Sequence, residues 1–520
     1  MELLPFATAG LGDTSYLLAS EGEAILLDPQ RDAWRFLDAA KERGWRITHV
    51  LETHVHNDYL SGAREIAAAT NAEIVAPARG GYEFEHRPAD EGDRLEVGSI
   101  GLTAAATPGH TPEHISWFVD DLARPADDDA TEAEGGGRPT TTGRSGGPVA
   151  VFSGGSLLIG TVGRTDLLGP ALGAALAADQ QRTLQRYAAL PDSTTILPTH
   201  GAGSFCSAGP VARGWHTSVG AERSANRVFA AAEVPAIEFR RIMTEGLGRY
   251  PAYYAEMAPI NRRGPRVLGE LRLPGAMSPE DVEAAVQRGA TIVDGRDRRA
   301  FAAAHLPGSI NIELDPSFAS YVGWLVRFGT PIVLVLPEPA EEAAIEAVTQ
   351  LLRIGYDWVP GWLAGGVDAW RASGRAISTY ELVGLREVAD AADGGGTIVD
   401  VRQPTEWQEE GVIPGSRQIF IADLPSRLDE LPRNQPVTIL CASGYRASMA
   451  ASLLDRAGFD VRLVARGGAP NYPTLVAPDP SATAAAAMPG TPTPGTPTPG
   501  AATPGAATPP PPAATPPPGR

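Results

Sequence analysis

Ile47-Thr48-His49-Val50-Leu51-Glu52-Thr53-His54-Val55-His56-Asn57-Asp58-Tyr59 runs from an apolar, strand-like segment straight into a cluster of ligand-type side chains. Side chains two apart on an extended chain share one side, so His54 and His56 leave the strand end together and both imidazoles can reach one cation. Two later segments repeat the arrangement: Thr107-Pro-Gly-His110-Thr-Pro-Glu-His114 and Leu197-Pro-Thr-His200-Gly201. Each places a histidine in a Gly/Pro turn just after an apolar strand. Neutral imidazole is a borderline-soft donor that binds zinc or a similar ion at about 2.0 to 2.1 Å. A lone histidine is usually structural, but five of the nine falling in three such turns predict a metal site.

Working outward, the short strands SYLLAS, EAILLD, ITHVLET, AEIVAP, VAVFSG and TTILPT alternate with a few helices and many loops. That pattern predicts an αββα-type sandwich over residues 1–265, with 124–148 as a mobile acidic and glycine-rich insertion and 211–265 as a helical extension or linker. The second half repeats itself. Thr291-Ile-Val-Asp-Gly-Arg returns as Thr397-Ile-Val-Asp-Val-Arg, and Pro331-Ile-Val-Leu-Val-Leu returns as Pro436-Val-Thr-Ile-Leu-Cys441, at offsets of 106 and 105. Solenoid repeats are typically about 20 to 50 residues, so this period means two tandem domains, 266–375 and 376–476. Val/Ile runs alternating with helical patterns predict α/β domains with mainly parallel sheets. Residues 477–520, rich in Pro, Thr and Ala, are expected to be disordered.

Cys441-Ala-Ser-Gly-Tyr-Arg446 follows an apolar strand and precedes the helical pattern ASMAASLLDRAG. A thiol there faces a helix N-terminus, whose amides and dipole favour a thiolate, and Arg446 adds positive charge. This is the setting of a nucleophile, and segment 376–476 contains the whole loop. In the first copy Leu336 stands in place of Cys441 and Glu341 in place of Arg446, so residues 266–375 are expected to be inactive. Cys206 is read as a packed bystander thiol.

Composition narrows the classes. The 520 residues carry a net charge of −19, which argues against a nucleic-acid footprint. No uncharged apolar run reaches the roughly 18 residues of a membrane span and no leader pattern opens the chain, so a cytoplasmic protein without membrane contact is expected. Two distant cysteines form no disulfide framework.

The His54, His56, Asp58 and Tyr59 pattern resembles the HxHxDH motif of the metallo-β-lactamase superfamily, with tyrosine at the last position. The Thr-Pro-Gly-His-Thr-Pro and Gly163-Arg164-Thr165-Asp166 motifs are similar to its persulfide dioxygenase and glyoxalase II branch. The Cys441–Arg446 loop, Asp400-Val-Arg402 and Arg466-Gly-Gly468 resemble rhodanese. The resemblance implies one iron(II) held by two histidines, matched by His54 and His110, and by an aspartate whose position here is Gly155. What remains is a three-histidine set of His54, His56 and His110, with Asp58 and His200 as the remnant of a second metal position. Asp166 is a further carboxylate candidate. One divalent metal is expected, iron(II) favoured and zinc the alternative, and an aspartate installed at 155 is expected to tighten its binding. Likeness to rhodanese implies that Cys441 carries sulfane sulfur as a persulfide, that the amides of Ala442, Ser443, Gly444 and Tyr445 cradle it, and that Arg446 binds the anion.

The implied function is a sulfur-metabolism fusion, in which a persulfide dioxygenase-like metal domain is coupled to a sulfurtransferase. The alternatives are a glyoxalase II-like thioester hydrolase fused to rhodanese, and a metal-domain scaffold in which only Cys441 is active. Expected partners are a low-molecular-weight thiol or its persulfide and thiosulfate, with homo-oligomerisation left open.

Overall fold

The strands of the first domain alternate their side chains between two apolar layers, and that alternation builds the sandwich. In the computed structural model, which describes residues 1–123, 147–245 and 247–478, the first sheet orders Glu2–Thr8, Asp13–Ser20, Glu23–Leu27, Arg46–Leu51, Glu73–Pro77 and Arg87–Ala89. The second orders Thr217–Ser218, Thr195–Pro198, Ala150–Gly154, Ile115–Asp121, Ile100–Ala106 and Arg94–Val97. Leu18, Leu27 and Leu51 meet Trp117, Phe152 and Leu197 in the cluster between the sheets. Their neighbours Leu17 and Leu26 turn outward beneath the helices Trp34–Arg43 and Ala63–Thr70, packing with Phe36 and Ile66. The outer face of the second sheet is covered in the same way, with Leu184 and Tyr187 of helix Pro170–Ala188 over Val151 and Ile196. The expected αββα sandwich is what forms. Most of the insertion, 124–146, and the tail from 479 onward lie outside the described residues.

The tandem repeat folds into two parallel five-stranded sheets with one strand order. The second domain has Gly275–Met277, Gly361–Leu363, Ile332–Val335, Thr291–Asp294 and Ile310–Asn311. The third has Glu381–Val383, Val461–Val464, Val437–Leu440, Thr397–Asp400 and Arg417–Gln418. Helices cover both faces, so the central strands Ile332–Val335 and Val437–Leu440 are buried throughout. Among the described residues no helix is long and apolar enough to cross a membrane.

The three domains do not hang as separate beads. A single apolar cluster runs from Tyr59, Cys206 and Tyr253 of the first, through Phe318, Ala319 and Val322 of the second, to Trp407, Phe420 and Cys441 of the third. Within it Trp324 stands edge-on to both Phe205 and Phe420, at centroid distances of 5.6 and 5.3 Å.

A candidate metal centre and a candidate sulfur site

His54, His56, Asp58, His110 and His200 are all buried in one cluster at the strand ends of the first domain. The hydrogen bonds around each ring decide which nitrogen it presents. Thr53 gives its single hydroxyl proton to Asp28 Oδ2 (2.7 Å), so its oxygen accepts from His54 Nδ1 (2.8 Å) and His54 Nε2 carries the lone pair. His110 Nδ1 donates to the carbonyl of Arg164 (2.8 Å), leaving its Nε2 bare, buried and without a partner. His200 Nδ1 donates to Asp13 Oδ1 (2.9 Å) and faces Asp58 Oδ2 (3.2 Å), which turns its Nε2 to within 3.3 Å of His54 Nε2. The structure therefore gathers His54, His110 and His200, with one ligand atom of each inside a mutual distance of 4.8 Å. Orienting a ligand imidazole through its far nitrogen is the usual support of a metal site, and it is built here for all three.

His56 is placed differently from the set expected with His54 and His110. Its Nε2 points at Asp28 Oδ1 (3.3 Å) and Glu52 Oε2 (3.1 Å), and Tyr59 Oη lies 3.1 Å away. Its unpartnered Nδ1 is the atom left for a cation, and His56 groups with Asp58 and His200 as a second candidate triad. His114 is spent on structure: its Nε2 accepts from Gly155 N–H (3.0 Å) and its Nδ1 bonds Thr107 Oγ1 (2.9 Å). Asp166 is committed to a two-pronged ion pair with Arg164, both contacts 2.7 Å, and so braces the residue whose carbonyl holds His110.

Burial and mutual charge sort the cluster. Burial, then the nearby His200 charge, lowers His110 to about 3, and burial holds His54 well below its ordinary range, so both are neutral donors. Burial works against a charged His200, but Asp58 and Asp13 overcome it and raise it to about 10. Burial and Asp58 together push Asp13 up to about 8, whereas His200 draws Asp58 down to about 2 against its burial. Asp58 and Asp13 thus favour a charged His200, whose Nε2 faces His54 Nε2. The donors fit a divalent ion: two bare imidazole nitrogens, a third that bares on losing one proton, and an adjacent anionic Asp58.

Gly155 occupies the strand-end turn at which the superfamily carries its aspartate, and the space is filled. A Cβ there would lie 2.3 Å from His110 Cδ2 and 2.9 Å from both Cγ and Nε2 of the same ring. An aspartate at 155 therefore requires the His110 ring to shift before its carboxylate could join the site. The left-handed backbone falls one residue earlier, at Gly154, with φ of 54°.

In the third domain Cys441 follows directly on strand Val437–Leu440 and is fully buried. Gly444 N–H donates to its Sγ at 3.2 Å, and helix Tyr445–Arg456 begins at the next residue. Arg446 reaches back forty residues to a two-pronged pair with Glu406, one contact 2.7 Å, so in this state its guanidinium braces the loop. The rest of the loop is covered by the second domain. Arg298, itself paired with Glu313, donates to Ser443 O (3.2 Å), and Tyr445 Oη donates to Asp315 Oδ1 (2.8 Å). Segment 376–476, expected to be sufficient, thus leans on a neighbour for one wall of its site. In that neighbour Leu336 is a core side chain and Glu341 lies in the first turn of helix Ala340–Arg353.

Comparison with known proteins places these parts. Residues 10–200 match the metallo-beta-lactamase superfamily, and residues 278–373 and 385–470 each match the rhodanese-like domain. The chain is a metallo-β-lactamase-fold domain followed by two rhodanese-like domains. A hydroxyacylglutathione hydrolase of Methylobacillus flagellatus is 36% identical over 109 residues, 21% of this chain and 43% of that protein. A hydroxyacylglutathione hydrolase of Rhodospirillum rubrum is 40% identical over 105 residues, 20% of this chain and 41% of that protein. The chain spans less than half the length of these curated relatives. A metallo-beta-lactamase from Staphylococcus aureus, solved as a crystal structure, is similar at 28% identity and a TM-score of 0.58 over 70% of this chain and 98% of that one. That share exceeds the metallo-β-lactamase-fold domain alone, so the likeness continues into the rhodanese-like part.

Asp13, Asp28 and Glu52, which orient the imidazoles, were not singled out by motif spacing. Asp28 and Glu52 close apolar runs (AILLD and VLE), and Asp13 opens one (DTSYLL). A carboxylate ending a fully buried strand is the signal that marks them.

Proposed function

We propose that the chain is a two-centre sulfur enzyme, with a sulfurtransferase at Cys441 and a metal-dependent centre at His54, His110 and His200. The observation that carries the first half is the Gly444 N–H on Cys441 Sγ, in a buried loop opening a helix. In that setting Cys441 thiolate attacks the outer sulfur of thiosulfate. The S–S bond breaks, sulfite leaves with the bonding pair, and Cys441 retains the sulfur as a persulfide anion. Amides at the helix N-terminus stabilise that charge. An acceptor thiolate then takes the terminal sulfur and returns Cys441.

The first domain is proposed to act on the same low-molecular-weight persulfide, converting persulfide, dioxygen and water to thiol and sulfite. A bound metal supplies electron transfer to dioxygen in this reading, and Lewis acidity in the second one. The chain's own residues orient the three imidazoles and hold them buried from bulk water. The second reading, a thioester hydrolase, is favoured by the names of the curated relatives. Iron(II) is the metal proposed, although three imidazoles without a carboxylate suit zinc as well.

One comparison tests both halves. Full-length protein loaded with iron(II), or with zinc, is assayed for persulfide-dependent oxygen uptake, thioester cleavage, and sulfur transfer from thiosulfate to cyanide. Transfer that survives in Cys441→Ser would refute the sulfurtransferase assignment. Absence of both oxygen uptake and thioester cleavage in the loaded protein would refute the metal-centre reading.

A further inference from the structure

The contacts that hold His200 do not stop at Asp13. The second oxygen of Asp13 accepts from Gln30 Nε2 (3.2 Å), and Gln30 Oε1 accepts from Arg35 Nη2 (2.9 Å). Arg35 Nε faces Asp32 Oδ2 at 3.1 Å, and that same oxygen accepts from Arg353 Nη2 at 2.6 Å. Arg353 ends helix Ala340–Arg353 of the second domain. An unbroken run of side chains therefore connects a metal-site histidine to a domain that has lost its own nucleophile. Asp13, Gln30 and Asp32 are almost wholly shielded from water, so each contact acts in a low-dielectric interior, where charged hydrogen bonds are strong and a broken one is costly.

Arg353 holds the centre from a second side. Its carbonyl accepts from Leu60 N–H at 2.7 Å, tying down the loop that carries His54, His56 and Asp58. The loop is steadied once more by Tyr253 of the first domain's own helical extension, whose hydroxyl donates to Asp58 O (2.8 Å) and whose ring packs against the second domain at Gly323. Tyr253 fits there because residue 323 is glycine, since a Cβ at Gly323 would sit 2.2 Å from its ring. The outer guanidinium Arg31 adds a 2.6 Å pair with Asp357. No comparable set of buried ion pairs is needed merely to attach two domains that already share an apolar core. Ion pairs removed from water are poor sources of stability, whereas fixing geometry is their better-attested use.

We infer that the second domain is the outer support of the metal centre, with Arg353 the positioning residue that sets the orientation of His200 and of the His54–Asp58 loop. The inference rests on the metal-centre reading above. Without the Arg353 guanidinium, Asp32 keeps only Arg35 as a cationic partner and draws it closer. Arg35 then loosens its hold on Gln30, whose Oε1 is left to Thr8 alone, and the amide that fixes Asp13 against His200 Nδ1 is less firmly placed. The backbone contact to Leu60 survives any side-chain change at 353, so the loss is one of alignment and not of docking.

The test uses full-length protein and cobalt(II) alone, whose visible absorption reports coordination geometry. Arg353→Met is expected to weaken cobalt(II) about tenfold, the lower end of what loss of an outer-shell partner typically costs, and to alter the absorption bands. Arg353→Lys, which can still place a cation on Asp32, is expected to recover most of the affinity and the wild-type bands. Asp32→Asn should reproduce the Met variant, and combining the two should add little, since both cut one link. Sulfur transfer at Cys441 should stay within about twofold throughout, as expected for sites without shared partners. Unchanged cobalt(II) affinity and spectrum in Arg353→Met would overturn the inference. So would parallel loss of metal and of Cys441 transfer in both Arg353→Met and Asp32→Asn, which would mean a general folding role. Failure of the wild-type chain to bind cobalt(II) would instead overturn the metal-centre reading.

Discussion

Replacing Gly155 with aspartate puts a carboxylate where the resemblance places one, and the close contact of the new Cβ with His110 predicts that it will not tighten metal binding. The new Cβ would meet His110 Cδ2 at 2.3 Å, and ordinary contact between carbons needs about 3.5 to 4.0 Å, so the ring must move by more than about 1 Å. His110 is not free to move, because its Nδ1 is bonded to Arg164 O, and Arg164 is itself held by Asp166. Overpacking of this kind costs about 1 to 3 kcal/mol and the lost hydrogen bond about 0.5 to 1.5, so Gly155→Asp should destabilise the first domain by about 1.5 to 4.5 kcal/mol. Gly155→Ala carries the same Cβ without the charge and separates the two effects. Urea midpoints of metal-free protein give the stability change, and cobalt(II) titration gives the affinity. Both variants are expected to unfold at lower urea and to bind metal no more tightly than the native chain. If Gly155→Asp bound cobalt(II) tenfold more tightly while Gly155→Ala lost affinity, the fixed His110 ring would be the mistaken premise.

Three further outcomes follow from the same contacts. Cys441→Ser should abolish sulfur transfer from thiosulfate, while Leu336→Cys should add none, since residue 336 is buried in the core; transfer in the Leu336→Cys, Cys441→Ser double variant would refute this. His114→Ala should keep nearly all bound metal yet lose about 1 to 3 kcal/mol of stability by stranding the buried Gly155 N–H, whereas His110→Ala should lose most of the metal, as metal analysis of the purified variants will show. Burial opposes ionisation of Glu406, but Arg446 holds it below its ordinary value of 4.5. A carboxyl depressed on folding stabilises above its unfolded pKa and loses that contribution as pH falls through the folded one. Glu406→Gln should therefore be less stable than the native chain near neutrality, with the gap closing below about pH 4.5 in thermal melts; a gap independent of pH would contradict the pairing.

Much of the architecture was legible because it is written in local pattern. Alternation in SYLLAS and EAILLD sends Leu17 and Leu18, or Leu26 and Leu27, to opposite layers, and the sandwich follows. The return of Thr291-Ile-Val-Asp at Thr397 becomes two sheets of one strand order. The histidine turns and the Cys441 loop were visible for the same reason, since each is a strand end read over a few residues. What was hidden is who orients them. Asp13 meets His200 and Arg353 meets Asp32 across separations of 187 and 321 residues, which no spacing rule spans. The partner of Arg446 is nearer, at Glu406, but the glutamate lies on another helix, and no pattern within the Cys441 loop reveals that the arginine is already engaged. Gly155 shows the reverse limit: the sequence displays a missing carboxylate, yet only the fold shows how closely the His110 ring packs against that position.

The continuous apolar cluster through all three domains has a consequence for genetics. Random mutagenesis screened for loss of either proposed chemistry is expected to return substitutions in the second domain, around Phe318, Ala319 and Val322, where a single helix touches the cores on both sides. Some of those alleles will lose both chemistries together, which a reader of maps would take for two genes' worth of damage from one change. Truncations designed at the domain boundaries will fare no better, because the cut exposes half of a shared interior on each fragment.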